Sequence, residues 1–419
     1  MTRAYPLAVF LPMFATLCLL FGLGQAQRSG GGVISAALSA EMGLSGAGLG
    51  AVMAAMFLGA ASAQIPVGVF LDRYGPRRVL PPFSVVGTVG CVLFAFAGSP
   101  WLLGAGRALI GVGFAAAWAG AFIVASRWVS GERFTAATSA VAVTGAVASL
   151  LATAPLAWAL ERFGRDGTFL GLAAATAFFG VLAALVVRDA PPGMAPAQAG
   201  KTESLADSLR GLGEVLRLPH LPRMAPVAFV LFTPMMVLIG AWGGPYLRDV
   251  YGMDATERGE LLFAMMAAVT AGLLAYGPIE RISNSRKWVV IGGATGVAAC
   301  LAVLAALPAP GPWGAGALLV GACFFGPLYV VFMAHCRALF PMHLMGRAMT
   351  MVTLVGVMGI VSLQFGFGVI LGFFTDAAGR ADAVGYRLGF ACHAAIFLLV
   401  LLAYLRVPDM RPRPTSDDA

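Results

Sequence analysis

The chain has 419 residues, of which 59% are hydrophobic and 11% are charged, and its formal net charge is +8. With a mean hydropathy of +0.87, this composition excludes a soluble globular domain and indicates a polytopic membrane protein. The positive charge does not indicate nucleic-acid binding, because the basic residues lie in loops between long apolar runs, where membrane topology places them.

Twelve segments are predicted to span the membrane as helices, each of which needs about 20 mostly apolar residues. Those of the first half are 7–28, 47–71, 79–97, 102–124, 136–159 and 168–187. Those of the second half are 225–246, 259–277, 288–307, 313–333, 348–374 and 388–405. Two interpretations are open at the end of the first helix: it continues past Arg28 towards Leu38, or it breaks or bends at the three consecutive glycines at 30–32, which argue for a break.

A polar stretch that contains Pro191 and Pro192 separates the two sets of six helices. The predicted parts are an N-terminal six-helix bundle (1–188), a cytoplasmic linker (189–222), a C-terminal six-helix bundle (223–406) and a tail (407–419). Within the linker, residues 203–218 have the pattern of an amphipathic helix on the membrane surface. The predicted fold is therefore all-α, with twelve transmembrane helices in two pseudo-symmetric bundles.

The distribution of basic residues predicts the orientation. Most Lys and Arg residues fall on the same side as both termini and the linker, so these parts are expected in the cytoplasm. Arginine greatly outnumbers lysine, and Ala and Gly abound, which favours a bacterial source and hence the inner membrane. The expected surroundings are the lipid bilayer, and the expected state is a monomer.

The segment 68–78 reads G-x-x-x-D-R-x-G-x-R-R and falls between the second and third predicted helices. It resembles the loop at the same place in the major facilitator superfamily (MFS), whose members are secondary transporters of small solutes. The resemblance implies the MFS fold, whereas the alternative is an ordinary charged cytoplasmic turn. The candidates for a gate or for coupling are Gly68, Asp72, Arg73, Arg77 and Arg78, with Glu280 and Arg281 at the corresponding place in the second half.

The residue types in this loop suit a moving gate. Gly68 is expected to let another helix approach the second span closely. Asp72, at the membrane edge, is costly unless an arginine or a helix N-terminus pairs with it. Gly75 permits a tight reversal of the chain.

The resemblance also implies that helices one, four, seven and ten, with help from five and eleven, line a central cavity. The candidate solute contacts on these helices are Gln25, Arg28, Trp118, Trp242, Tyr246, Tyr329 and Gln364. Arg28 is favoured, because a charge at the end of an apolar span is costly and a guanidinium can hold a carboxylate through two hydrogen bonds. The alternative is an arginine that extends to the outer lipid headgroups.

Arg107 lies near the predicted outer end of the fourth span, in a sequence that resembles the R-x-x-x-G-x-G pattern of the fourth MFS helix. The resemblance implies a role in proton coupling or in latching the aspartate of the second span, and the position near the outer end favours the first. A structural or headgroup-directed arginine is the alternative. No Asp or Glu lies near the middle of any predicted span. The intramembrane charge is therefore cationic, which favours an anionic or zwitterionic solute.

The sequence thus predicts a secondary active transporter of a small organic anion, coupled to an ion such as the proton. Nothing indicates an enzyme, a cofactor or a resident metal, because there is no phosphate-binding loop and the four histidines are scattered. Efflux of drugs or metabolites remains open, although the glycines typical of the fifth helix in drug/proton antiporters of this superfamily are mostly missing. Copper import also remains open, because soft Met, His and Cys ligands crowd residues 333–351. The last alternative is a non-transporting sensor or assembly factor with the same fold.

Overall fold

The computed structural model describes residues 7–129, 132–191, 218, 220–308, 310–341, 345–376 and 380–411. Within these ranges the secondary structure is helical, apart from an isolated bridge between Thr375 and Ala381. Eleven helical segments of the described residues are long and apolar enough to span a membrane, and a shorter apolar helix, Ala140–Leu151, occupies the place of the predicted fifth span. The predicted all-α membrane fold is confirmed.

The helices of the first half follow the predicted spans. They are α1 (Leu7–Ser29), α2 (Gly31–Met42), α3 (Gly46–Tyr74), α4 (Pro76–Ala95), α5 (Pro100–Phe114), α6 (Ala117–Trp128), α7 (Glu132–Leu151) and α8 (Ala154–Val186). The fourth span is interrupted between α5 and α6. Gly164, at φ 67°, interrupts the helical backbone with a kink inside α8, between the predicted fifth and sixth spans.

The second half contains two spans with irregular helical segments. The seventh span consists of α9 (Leu221–Val230), a π-helix (Thr233–Trp242) and α10 (Gly243–Tyr251). The tenth span consists of α13 (Gly311–Phe325), a 3₁₀ turn (Gly326–Leu328) and α14 (Tyr329–Leu339). The remaining spans are α11 (Ala255–Ser283), α12 (Arg286–Ala306), α15 (Met345–Gly372) and α16 (Ala383–Tyr404).

The chain forms two compact units. The first unit comprises Met1–Gly30 and Val52–Thr202, and the second comprises Gly31–Ala51 and Glu203–Ala419. In the first unit α4 packs against α5 and α8, and in the second α12 packs against α13 and α16. The third helix of each set of six therefore has the fourth and sixth as neighbours, which is the arrangement that an internal repeat predicts. The predicted linker helix lies outside the described residues except for Leu218, as do tail residues 412–419.

The glycines at 30–32 break the first span as predicted. Helix α1 ends at Ser29 and α2 begins at Gly31. Gly32 lets α2 lie directly against the π-helix, because a Cβ atom there would collide with the carbonyl oxygen of Ile239. Ser35 Oγ donates a hydrogen bond of 2.5 Å to the carbonyl oxygen of Ala241. Helix α2 is thus part of the second unit, and the chain changes unit at the break.

Close packing of α3 on α5 predicts a large difference between two glycine variants of α5. A Cβ atom at Gly111 would collide with the backbone carbonyl of Met56, whereas one at Gly104 meets nothing within 4 Å. Gly111→Ala is expected to destabilise the protein by about 1–3 kcal/mol, because the two backbones must move apart. Gly104→Ala is the matched control and should not destabilise, since alanine favours the helix. Thermal unfolding in detergent measures both, and equal melting temperatures would contradict this packing.

Candidate solute-binding site

Arg28 lies at the end of α1 and is half-buried. Its Nη1 donates a hydrogen bond of 2.7 Å to Gln25 Oε1, one turn earlier in the same helix. The guanidinium is therefore turned back along α1 and does not extend beyond the helix end towards headgroups. A cation at this position also complements the negative C-terminal end of the helix dipole.

Gly145 on α7 makes room for the Gln25 side chain. A Cβ atom at Gly145 would lie 3.3 Å from Gln25 Cγ and 2.6 Å from the ring of Phe21. One turn further along α7, Ser149 accepts a hydrogen bond of 2.9 Å from Ser29, which fixes the two helices together. The neutral amide of Gln25 is thus held against Arg28 by close helix packing.

Trp118 follows the interruption in the fourth span and contacts the same face of α1. Its ring centroid lies 5.1 Å from that of Phe21. Phe21, Gln25 and Arg28 are spaced i, i+4 and i+7, so they share one face of the helix. The structure therefore brings together three residues predicted as solute contacts, namely Gln25, Arg28 and Trp118. Sequence reasoning missed Phe21, for which the four-residue spacing from Gln25 was the available signal.

Within the described part of the chain, no carboxylate neutralises Arg28 at this face. Helices α1, α5 and α6 contain no Asp or Glu, and α7 has only Glu132, at its first residue. Among the described residues, no ion pair includes Arg28 or Arg107. A partly buried guanidinium without a countercharge is costly, and an anionic ligand removes that cost.

Arg107 is buried, with only 2% of its surface exposed. Its Nη1 donates to the carbonyl oxygen of Gln27 (3.1 Å) and contacts Met56 Sδ (3.6 Å), and its Nη2 contacts Met53 Sδ (3.2 Å). The guanidinium also lies over the ring of Phe94. The alternative of a headgroup-directed arginine is therefore wrong for Arg107, because its side chain is directed into the unit.

This contact explains how the break in the first span is stabilised. The last carbonyl groups of α1 lack partners within the helix, and Arg107 binds that of Gln27. Gln27 Nε2 donates to Cys91 Sγ at 3.2 Å, while Gln27 Oε1 and Arg107 Nε have no hydrogen-bond partner among the residues that the structure describes. Arg107 thus contacts the residue that precedes Arg28, and its role in proton coupling stays a prediction.

The candidate contacts of the second half lie inside the second unit. Trp242 and Gln364 are 1% and 0% exposed, and Trp242 Nε1 donates to the carbonyl oxygen of Gln364 at 3.0 Å. Tyr246 is 4% exposed, and its hydroxyl lies 3.2 Å from that of Tyr251. Tyr329 is half-buried against the ring of Phe232. The residues that the sequence predicted as solute contacts in this half therefore make contacts within the second unit in the structure.

Two side chains from neighbouring spans bind the carbonyl oxygens of the π-helix. Gln364 Nε2 donates to Met236, and Ser35 Oγ donates to Ala241, each at 2.5 Å. π-Helical segments are rare and are often found at functional sites. The sequence signals were Pro234 near its start and Gly243-Gly244-Pro245 just after its end, but they do not distinguish a π-helix from a bend.

A protein-family model described as Major Facilitator Superfamily matches residues 16–357. The chain belongs to the Major Facilitator Superfamily. Solved MFS-type structures share its fold: the nucleoside transporter NupG at a TM-score of 0.75 and 12% identity, covering 94% of this chain and 100% of that one. A bacterial homologue of the human lysosomal transporter Spinster has a TM-score of 0.74 at 15% identity, covering 97% of both chains. At such identities the likeness establishes the fold alone.

Two curated relatives match shorter parts of this MFS chain. A protein named as the probable sulfoacetate transporter SauU of Cupriavidus necator is 33% identical over 115 residues, which are 27% of this chain and 26% of the relative. A gentisate transporter of Corynebacterium glutamicum is 34% identical over 82 residues, which are 20% of this chain and 18% of the relative. The matched part is about a quarter or less of either relative.

The MFS-type loop between α3 and α4 has the predicted tight reversal at Gly75, whose φ is 76°. Arg77 and Arg78 are exposed, and the Arg73 guanidinium lies over the ring of Tyr74. The side chain of Asp72 lies outside the described part of the chain. The close approach expected at Gly68 is wrong here, because a Cβ atom at that position meets nothing within 4 Å.

A repeated aspartate, which sequence reasoning missed, caps the third helix of each half. Asp189 Oδ1 accepts a hydrogen bond of 2.8 Å from the backbone N–H of Arg77 at the start of α4. Asp409 Oδ1 accepts one of 3.1 Å from that of Lys287 at the start of α12. The signal was the repeat of valine, any residue and aspartate at 187–189 and 407–409. Of the candidates in the second loop, Glu280 pairs with Arg286 at 2.9 Å, and Arg281 is exposed.

Removing the Asp409 carboxylate should destabilise the protein moderately. Besides the Lys287 N–H, this carboxylate accepts a hydrogen bond of 2.6 Å from Ser285 Oγ. Asp409→Ala is expected to cost about 1–2 kcal/mol, because a helix N-terminus loses its cap. The matched control is Asp382→Ala, since Asp382 precedes α16 without capping it through its side chain. Thermal unfolding of the two variants measures the difference, and equal destabilisation would contradict the cap.

The described residues contain no group of three His, Cys, Asp or Glu side chains that could hold a metal ion. Met342 and His343, part of the soft-ligand cluster, lie outside the described residues. His335 is 0% exposed, and its ring nitrogens are 2.5 Å from the Tyr404 hydroxyl and 2.9 Å from the carbonyl oxygen of Pro408. Both nitrogens of His335 therefore already have partners within the protein.

Proposed function

We propose that this MFS protein is a secondary active transporter of a small organic anion. The observation that carries the proposal is the environment of Arg28, whose guanidinium is held by the neutral side chain of Gln25 beside helices that lack a carboxylate partner. Because the Gln25 side chain is neutral, it positions the guanidinium without cancelling its charge. The site is therefore suited to a carboxylate or sulfonate, which a guanidinium binds through two charge-assisted hydrogen bonds.

The names of the two curated relatives support the same solute class. Sulfoacetate and gentisate differ in their carbon skeletons, but both are organic anions. We infer transport by alternating access in a bacterial inner membrane, with both termini in the cytoplasm and the proton as the candidate coupling ion. Arg107 is the candidate for coupling, because it binds the end of the helix that carries Arg28.

Flux into proteoliposomes tests this function. A thermal-shift panel of aliphatic and aromatic carboxylates, sulfonates, amino acids, sugars, cationic drugs and copper first selects the solute. The selected anion should then accumulate in proteoliposomes when a proton gradient is imposed, and empty liposomes are the control. If cationic drugs or copper stabilise the protein and anions do not, drug efflux or copper import would replace anion transport as the proposed function. The absence of flux for every stabilising ligand would favour a sensor.

We infer that the loop from Gly68 to Arg78 forms part of the inner gate. A substitution of Asp72 tests this inference. Asp72→Asn should lower flux about tenfold, a cost near 1.4 kcal/mol, because a neutral amide pairs weakly with a cation. The melting temperature should stay close to that of the wild type. Asp166→Asn is the matched control, since the Asp166 side chain is 62% exposed and its ion pair is a surface one. Equal flux in Asp72→Asn and the wild type would count against the gate.

A further inference from the structure

We propose that the transported anion carries an aromatic ring, and that Trp118, which packs on the buried Phe21, receives this ring beside Arg28. The inference rests on the proposed transport of an organic anion and adds the substrate class. Aromatic carboxylates or sulfonates are then the solutes, in preference to aliphatic ones of the same charge.

The exposure of Trp118 is the first observation. Tryptophans at span ends anchor a protein in the membrane interface, and Trp101, at the start of α5, is 87% exposed in that way. Trp118 lies well inside the same span, at the second residue of α6, yet 44% of its surface is exposed. Its contact with Phe21, at 5.1 Å between centroids and 52° between planes, covers only part of the indole. A further ring can therefore pack on the part that is left.

The spacing along α1 is the second observation. The Arg28 guanidinium is turned back to Gln25, and Phe21 lies four residues before Gln25. Four residues of an α-helix rise about 6 Å. A ring that bears its carboxylate directly spans this distance, with the carboxylate at Arg28 and the ring on the exposed part of Trp118, beside Phe21.

The third observation is the close packing of α1 against its neighbouring helices around Phe21. Gly24 on α1 lies against Phe114, and a Cβ atom there would be 2.9 Å from Phe114 Cβ. Gly145 on α7 lies against Phe21, where a Cβ atom would be 2.6 Å from the ring. The two glycines thus let α1 approach both the fourth span and α7 closely. An apolar aromatic part and a cationic part consequently lie side by side on one helix face.

Binding of three matched probes tests the proposal. Benzoate has the ring and the charge, cyclohexanecarboxylate has the charge and a saturated ring, and benzamide has the ring without the charge. The wild type should bind benzoate in preference to both others. Trp118→Leu should weaken benzoate binding about fivefold, while cyclohexanecarboxylate binding changes less than twofold, because only the aromatic contact is lost. Trp118→Phe should restore most of the preference, and Trp101→Leu, the control in the same span, should leave it unchanged.

The failure of this inference and the failure of the transport function give different results. If the binding of both benzoate and cyclohexanecarboxylate depends on Arg28, but Trp118→Leu lowers the two affinities equally, the ring site is overturned while anion binding stands. Binding of aliphatic carboxylates or sulfonates by the wild type, with none of benzoate or its hydroxylated forms, also overturns the ring site. If no anion in the panel binds, or if Arg28→Gln binds anions like the wild type, the proposed function itself fails.

Discussion

Replacing Arg28 with alanine is expected to weaken binding of the anionic solute about 100-fold, which corresponds to about 3 kcal/mol. The variant removes the cation that lies beside helices without a carboxylate partner, so the bound anion loses its countercharge. Arg28→Lys keeps the charge but loses the planar fork, and a loss of about tenfold is expected. Solute-dependent thermal shift and uptake into proteoliposomes measure both variants.

Arg162→Ala is the matched control for the loss of an arginine, because Arg162 is exposed and lies near Gly164, where α8 is kinked. This control should bind the solute like the wild type. All three variants should fold, since Arg28 is only half-buried. Wild-type affinity in Arg28→Ala, or selection of a cationic solute in the panel, would refute the anion site and leave Arg28 with a structural role at the end of α1.

Gln25→Glu is expected to weaken anion binding as much as Arg28→Ala does, although it retains the arginine. The Gln25 Oε1 atom lies 2.7 Å from Arg28 Nη1, so a carboxylate of the same size would form an ion pair with the guanidinium. This internal pair satisfies Arg28 and repels an approaching anion. We therefore expect a loss of about 100-fold in affinity, together with an unchanged or higher melting temperature.

Gln25→Ala separates the two roles of this side chain. It removes the hydrogen bond that positions Arg28 but adds no negative charge, so a loss of only about fivefold is expected. The decisive quantity is the ratio of the affinities of Gln25→Glu and Gln25→Ala, measured by thermal shift with the same anion. A ratio near one would mean that the neutrality of residue 25 does not matter, and that Gln25 merely fills the space that Gly145 provides.

The sequence by itself determined the membrane fold and two of the positions at which its helices break or turn. The twelve predicted apolar segments correspond to the described helices, because a spanning helix needs only local length and apolarity. The break after Ser29 and the reversal at Gly75 were predicted for the same reason, since glycine relieves a purely local restriction on the backbone. The family resemblance in residues 68–78 was likewise a local pattern and agrees with the family match.

Only the tertiary structure decided which partners the side chains have. It placed Trp118 on Phe21, Arg107 on the carbonyl of Gln27, and the Asp189 and Asp409 carboxylates on the starts of α4 and α12. It also showed that Gly68 is not a point of close approach, whereas Gly111 and Gly145 are. These contacts depend on the rotation and crossing of helices that are distant in sequence. Apolar composition leaves that rotation undetermined in a membrane, where nearly every face of a helix is hydrophobic.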